Sequence, residues 1–245
     1  VSQTVQPSPG PPRATPGPNS YTTLRAGADF RHELVIKRSR FITVLRRVDE
    51  EPSARALVAE LRKEFYDARH HCSAFVIGPG RDLQRSHDDG EPSGTAGTPM
   101  LDALVKRETR AGDGVHSADL SDVCAVVVRY FGGILLGAGG LVRAYSESVS
   151  KALELAPLVS RDRLKLFTVA VPHAAAGRLE NDLRSAGYLM TGNNYDALNT
   201  HVGLAIADDD LIINTAVERL AALSAGRCTL ATAGTDWVDT PLDRA

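Results

Sequence analysis

Between Asp122 and Ala156 the chain runs DVCAVVVRY, then FGGILLGAGG, then LVRAYSESVSKALELA, and few architectures accommodate that succession. The first segment is apolar at nearly every position. A strand of that kind hides both of its faces, so it belongs in the middle of a sheet covered on both sides. The third segment is amphipathic. Leu141, Tyr145, Val149, Ala152 and Ala156 form one stripe, Arg143, Ser146, Glu147, Ser150, Lys151 and Glu154 the opposite face, and Pro157 stops the helix. A buried central strand joined by glycines to a helix sets the expectation of a layered α/β (α+β) protein.

The flanking sequence fits that expectation. HELVIK and RFITVLRRV read as two strands between Phe30 and Val48. Pro52 and Ser53 open a helix through Phe65, with Ala56, Leu57, Leu61 and Phe65 on one face. CSAFVIG is an apolar strand stopped by Pro79 and Gly80, and a polar loop is expected from Gln84 to Thr98. Thr98 is expected to cap, and Pro99 to begin, a helix bearing Met100, Leu101, Leu104 and Val105. Thr109 to Asp119 reads as a loop. From Arg161 the order is strand, helix, two strands, helix, strand, a βαββαβ plan of ferredoxin-like type, with three aspartates leading its second helix. The expected domains are 21–159 and 160–240, meeting near Leu158 to Asp162.

Residues 1–20 hold Pro7, Pro9, Pro11, Pro12, Pro16 and Pro18, with Arg13 the only charge, too few apolar groups to offset ordering entropy; a disordered tail is expected. The formal net charge of -2 supplies no general attraction to nucleic acid or an anionic membrane. No apolar run reaches the roughly 20 residues of a membrane span, and no secretory signal is evident, so a cytoplasmic protein is expected. Cys72, Cys124 and Cys228 are odd in number and show no metal-ligand spacing, as reduced thiols would. In His70-His71-Cys72, neighbouring strand residues point to opposite faces, so His71 and Cys72 cannot share one site. No metal and no cofactor is expected.

Two glycine-rich segments carry whatever chemistry the chain has. Gly132, Gly133, Gly137, Gly139 and Gly140 stand between the buried strand and the helix, where bare backbone and free N–H groups can approach an anion. Arg143 is expected in or near the first helical turn, a place unfavourable to a cation unless a bound phosphate or carboxylate reverses the penalty. A structural alternative pairs Arg143 with Glu147 at i+4. The other segment, His87 to Pro99, offers Asp89, Glu91, Ser93 and Thr95 ahead of a second helix. Its carboxylates suit a base or an acceptor for a partner's donor, and the plainer alternative is an Asp-Gly turn before a helix. From Arg161 onward eight Lys/Arg face eleven Asp/Glu, and Tyr188 and Tyr195 are isolated, so no aromatic RNA platform is evident there.

DDGEPSGTAGTPML, followed about 30 residues later by VVVRYFGGILLGAGGLVRAY and preceded by HHCSAF, resembles the signature of the IMPACT/YigZ family over Phe30 to Ala156. The resemblance implies an N-terminal domain with the βαβ superfold of a small-subunit ribosomal protein and of elongation factor G domain four. It also implies a C-terminal domain similar to domain five of that factor. It implies no particular catalytic residue. Thr98 stands where relatives are expected to carry Lys or Arg, which weakens phosphate binding at that point. The expected function is a non-catalytic, translation-associated regulator that binds RNA, the ribosome or a translation-associated protein. Asp89, Glu91, Ser93, Thr95, Arg129, the five glycines and Arg143 are its candidate contacts. The competing expectation is an enzyme of phosphoryl-transfer or hydrolytic type, with Asp89 or Glu91 as base and Arg143 stabilising negative charge.

Overall fold

The computed structural model describes residues 19–110 and 116–242. In chain order the elements are β1 (Ser20–Leu24), β2 (Phe30–Ile36), β3 (Ser39–Arg47), α1 (Glu51–Glu64), β4 (His70–Ile77), β5 (Leu83–His87) and α2 (Gly97–Val105). Then come β6 (Thr109–Arg110), β7 (His116–Ser117), β8 (Val123–Tyr130), α3 (Ala138–Leu155) and β9 (Leu158–Pro172). The chain closes with α4 (His173–Ser185), β10 (Leu189–Tyr195), β11 (Asn199–Ala207), α5 (Asp210–Ser224) and β12 (Ala231–Pro241). The fold is mixed α/β. The tail expectation falls almost wholly on residues 1–18, outside those described.

The first sheet has the order β2-β3-β8-β4-β5, every pair antiparallel. The apolar strand β8 is its middle, and both faces are covered. Val123, Ala125 and Val127 join Phe41, Leu45, Met100, Leu104, Tyr145 and Val149 beneath α2 and α3. Cys124, Val126 and Val128 join Leu57, Leu61, Phe75 and Ile77 beneath α1.

In the second sheet, the long β9 pairs with β11 and with β12, and β10 continues beyond β11. Phe167, Val169, Val202, Leu204, Leu183 and Leu220 form its core with α4 and α5. Asp209 caps α5 by accepting the N–H groups of Leu211 and Ile212 at 2.8 and 3.2 Å. β1 pairs with Leu158 to Asp162 in this sheet, so residues 20–24 are shared by sequence with one half and by hydrogen bonding with the other. Tyr21 donates to the buried Asp122 beside β8, and Asp239 of β12 accepts from both Arg47 (2.5 Å) and Arg161 (2.9 Å). No helix among the described residues is long and apolar enough to cross a membrane.

Three local expectations need correction. Gln84–His87, read as the start of a loop, belong to the edge strand β5. Thr109–Arg110 and His116–Ser117, also read as loop, pair as a short ladder. The third concerns helix starts. α2 begins at Gly97, so Thr98 is inside its first turn and caps nothing. α3 begins at Ala138, with Gly137 in a left-handed conformation (φ 73°) as its N-cap, so Gly139 and Gly140 are helical and Arg143 is in the second turn. The dipole penalty expected for Arg143 fades at that distance.

Candidate functional site

The acidic loop and the residues that flank the second glycine run, Arg129 on β8 and Tyr145 on α3, come together at the end of the first sheet where β8 finishes and β4 begins. The junction is a buried polar cluster. The Glu91 carboxylate, 3% exposed, accepts from Arg129 Nη1 at 2.6 Å and from the Tyr145 hydroxyl at 2.7 Å. The Cys72 thiol lies 2.9 Å from the Asp88 carbonyl and 3.3 Å from the Tyr145 hydroxyl, and can donate its one proton to either. His70 places Nδ1 2.9 Å from the Asp89 carbonyl and Nε2 3.9 Å from Glu91. Arg129 sits against Phe41 and Phe131, its guanidinium carbon 5.5 and 5.8 Å from the ring centres.

The cation facing Glu91 is therefore Arg129. Arg143 lies on the exposed face of α3, two residues before Tyr145, which turns inward; it pairs with neither acidic-loop carboxylate nor Glu147 among the described residues. The i+4 pair with Glu147, the structural alternative for Arg143, is thus not formed among the described residues. Arg129 is 7% exposed, so it braces the junction and cannot act as a surface contact.

Burial sets the ionisation of this cluster. Desolvation pushes the Cys72 thiol up to about 12, with Glu91, Asp89 and Asp88 adding in the same direction, so it stays protonated and is a poor nucleophile. Tyr145 is raised as well, by burial first and then by Cys72 and Glu91. Glu91 and Asp89 are already engaged, Asp89 by the Arg62 guanidinium and by the His71 N–H at 2.6 Å.

The acidic loop is held by Asp88, a residue to which no local sequence pattern points. Its carboxylate accepts from Gly94 N at 2.8 Å, Ala96 N at 3.0 Å and Gly97 N at 2.8 Å, capping α2 from nine residues away. Asp89 (φ 47°) and Gly90 (φ 82°) form the turn between them, closed by Glu91 N to the Asp88 carbonyl at 3.1 Å. Thr95 is buried and donates to the Pro92 carbonyl at 2.6 Å, while Ser93 is exposed. Burial raises the Asp88 carboxyl, but the three N–H bonds outweigh it and leave the group below its ordinary value. A carboxylate depressed on folding stabilises the protein above the ordinary pKa of about 3.9 and loses that contribution as pH falls through the folded value. Asp88→Ala should thus cost about 1–2 kcal/mol at neutral pH. In urea melts at falling pH, parent and variant should converge below about pH 4; a constant gap would exclude this role.

The other loop is different in character. Phe131 (53%), Ile134 (41%) and Leu135 (82%) are exposed, while Leu136 packs on the core. Gly132 presses on the β2–β3 hairpin, where a Cβ would lie 2.0 Å from the Arg38 carbonyl carbon. Gly133 (φ 82°) and Gly137 turn the chain, Gly139 faces open space, and a Cβ at Gly140 would meet Leu136 at 3.1 Å. The hairpin tip beside Gly132 carries exposed Lys37 and Arg38, neither paired with a carboxylate among the described residues.

The family model described as the Impact N-terminal domain matches residues 37–153. IMPACT family member YvyE of Bacillus subtilis is 43% identical over 177 residues, covering 72% of this chain and 76% of that protein. IMPACT family member YigZ of Escherichia coli is 42% identical over 164 residues, covering 66% and 75%. A crystal structure described as a hypothetical protein superposes with a TM-score of 0.52 at 34% identity, over 86% of this chain and 96% of that one.

Proposed function

Since this chain belongs to the IMPACT family, we propose that it acts in translation as a binding protein, through the loop from Phe131 to Gly137 and the cations around it. The observation that carries the reading is the exposed Phe131, Ile134 and Leu135 beside Lys37 and Arg38, which pair with no carboxylate among the described residues, with Arg143 further along the open face of α3. Apolar side chains on a loop braced from beneath offer stacking and contact area, and nearby cations offer phosphate contacts that release counterions. RNA, alone or in the ribosome, has the matching chemistry. Under this reading the Glu91–Arg129–Tyr145 cluster is the foundation, and the carboxylates have a structural task. The βαβ superfold shared with elongation factor G domain four, and a ferredoxin-like second half, belong to the same proposal.

Ribosome co-sedimentation at two salt concentrations tests it. Removing Lys37, Arg38 and Arg143 together should flatten the salt dependence, by roughly 0.7–0.9 in log–log slope for each phosphate no longer neutralised. Leu135→Asp should weaken pelleting while leaving thermal melting unchanged. If both variants pellet as the parent does at each salt concentration, this surface is not the binding site.

A further inference from the structure

We infer that the groove between α1 and the β4–β5 edge is a second ligand site, built for the phosphate group of a small phosphorylated molecule. The groove has a volume of about 370 Å³ and is lined by Arg55, Arg62, Arg85, His71, Ser73 and His87, with Glu51 and Ser86 also in its wall and Val58 and Phe75 as apolar lining. Its floor follows from strand alternation. On the face toward α1, Ile77 pairs with Leu83, Phe75 with Arg85, and Ser73 with His87. The apolar surface expected beneath a helix thus gives way to hydroxyl, imidazole and guanidinium groups within three pairs.

A solvated sheet edge would also be polar, but it would not gather three guanidinium groups around one groove against two carboxylates. His71 is 4% exposed and forms the inner wall of the groove, its ring lying near the Leu61 and Phe65 carbonyls at the end of α1. Burial, then the Arg62 charge, hold the His71 pKa down against Asp89 and the Phe65 and Leu61 carbonyls, so the ring adds no charge of its own to the groove. His87 accepts the Asp89 N–H at its Nδ1 (3.1 Å), which leaves its own proton on Nε2. Arg85 bonds only the Gln84 carbonyl, at 3.1 Å, and pairs with no carboxylate among the described residues. Arg55 and Arg62 are engaged by Glu51 and Asp89, so three guanidinium groups at the groove meet two carboxylates. The volume falls at the low end of small-molecule pockets and is too small for a folded RNA element.

Calorimetric titration of the full chain with inorganic phosphate and with adenosine monophosphate tests this site. The parent should bind one equivalent of at least one of them. Binding of phosphate alone identifies a free-anion site, and tighter binding of the nucleotide identifies an ester site. Arg85→Ala should weaken binding about tenfold or more. Ser73→Asp, which sets a carboxylate on the floor, should abolish it, with thermal melts to show that both variants are folded. Ring-proton shifts of His71 on adding phosphate should appear in the parent and not in Ser73→Asp. No saturable heat from either probe at millimolar concentration overturns the inference, as does unchanged binding by folded Arg85→Ala. Arg85→Ala should also pellet with ribosomes as the parent does. If it loses pelleting together with phosphate, the groove is part of an RNA surface and the small-ligand site falls, independently of the loop variants above.

Discussion

Glu91→Ala should cost about 3–5 kcal/mol of stability, because it strands the Arg129 guanidinium inside the protein. The pair is nearly inaccessible on both sides, at 7% and 3% exposure, and Arg129 already has a buried Nε with no partner. Its remaining anchor would be the faces of Phe41 and Phe131. Three variants separate charge from packing. Glu91→Gln keeps the shape and an acceptor for Tyr145, and should lose less. Tyr145→Phe removes one hydrogen bond and should lose about 1 kcal/mol. Arg129→Met combined with Glu91→Ala should recover part of the loss, since no charge is then left buried. Urea denaturation of the parent, Glu91→Ala, Arg129→Met and the double variant completes the cycle, with Glu91→Gln and Tyr145→Phe beside it. Equal midpoints for Glu91→Ala and the parent would mean that this cluster does not hold the two glycine-rich segments together.

The residues of that cluster are partly legible in the sequence. Arg129 closes an apolar strand destined for the sheet centre, so its charge has to be buried against a carboxylate. Tyr145 sits in the middle of an apolar helical stripe, and a buried tyrosine hydroxyl asks for a partner. Both signals are present, but periodicity assigns Tyr145 only to the core, and nothing local links either residue to Glu91 across 38 or 54 positions. Arg143 stands out instead because it lies close to glycines in sequence. The regular elements are more accessible. β8, α3 and the strand–helix order from β9 to β12 follow from runs and stripes long enough to have one reading. β5 does not, since LQRSH carries a single apolar residue, is nowhere fully buried, and so gives no alternation to read. The capping of α2 by Asp88 is hidden for a similar reason, because the carboxylate reaches back over a loop where local rules look only to the preceding residues.

Gly132→Ala should be the most damaging of the glycine substitutions, costing about 3 kcal/mol or more. The added Cβ would stand 2.0 Å from the Arg38 carbonyl carbon, 2.2 Å from its oxygen and 2.4 Å from Ser39 N. All three are backbone atoms, so no side-chain rotamer relieves the overlap. They belong to a two-residue hairpin turn whose Lys37 and Arg38 both hold positive φ, 45° and 64°, a shape with little freedom to retreat. The loop must therefore lift, which breaks the bond from Gly132 N to Ser39 Oγ at 3.1 Å and carries Phe131 away from Arg129. Gly133→Ala is the matched control. Its φ of 82° makes any side chain strained, but nothing lies within 4 Å of the new atom, so it should cost only about 1–2 kcal/mol of left-handed strain. Equal losses for the two in urea melts would show that backbone conformation, and not close approach, is what glycine supplies at 132. A larger loss at 132, accompanied by weaker ribosome pelleting of the folded variant, would tie the seating of this loop on the β2–β3 hairpin to the binding proposed for it.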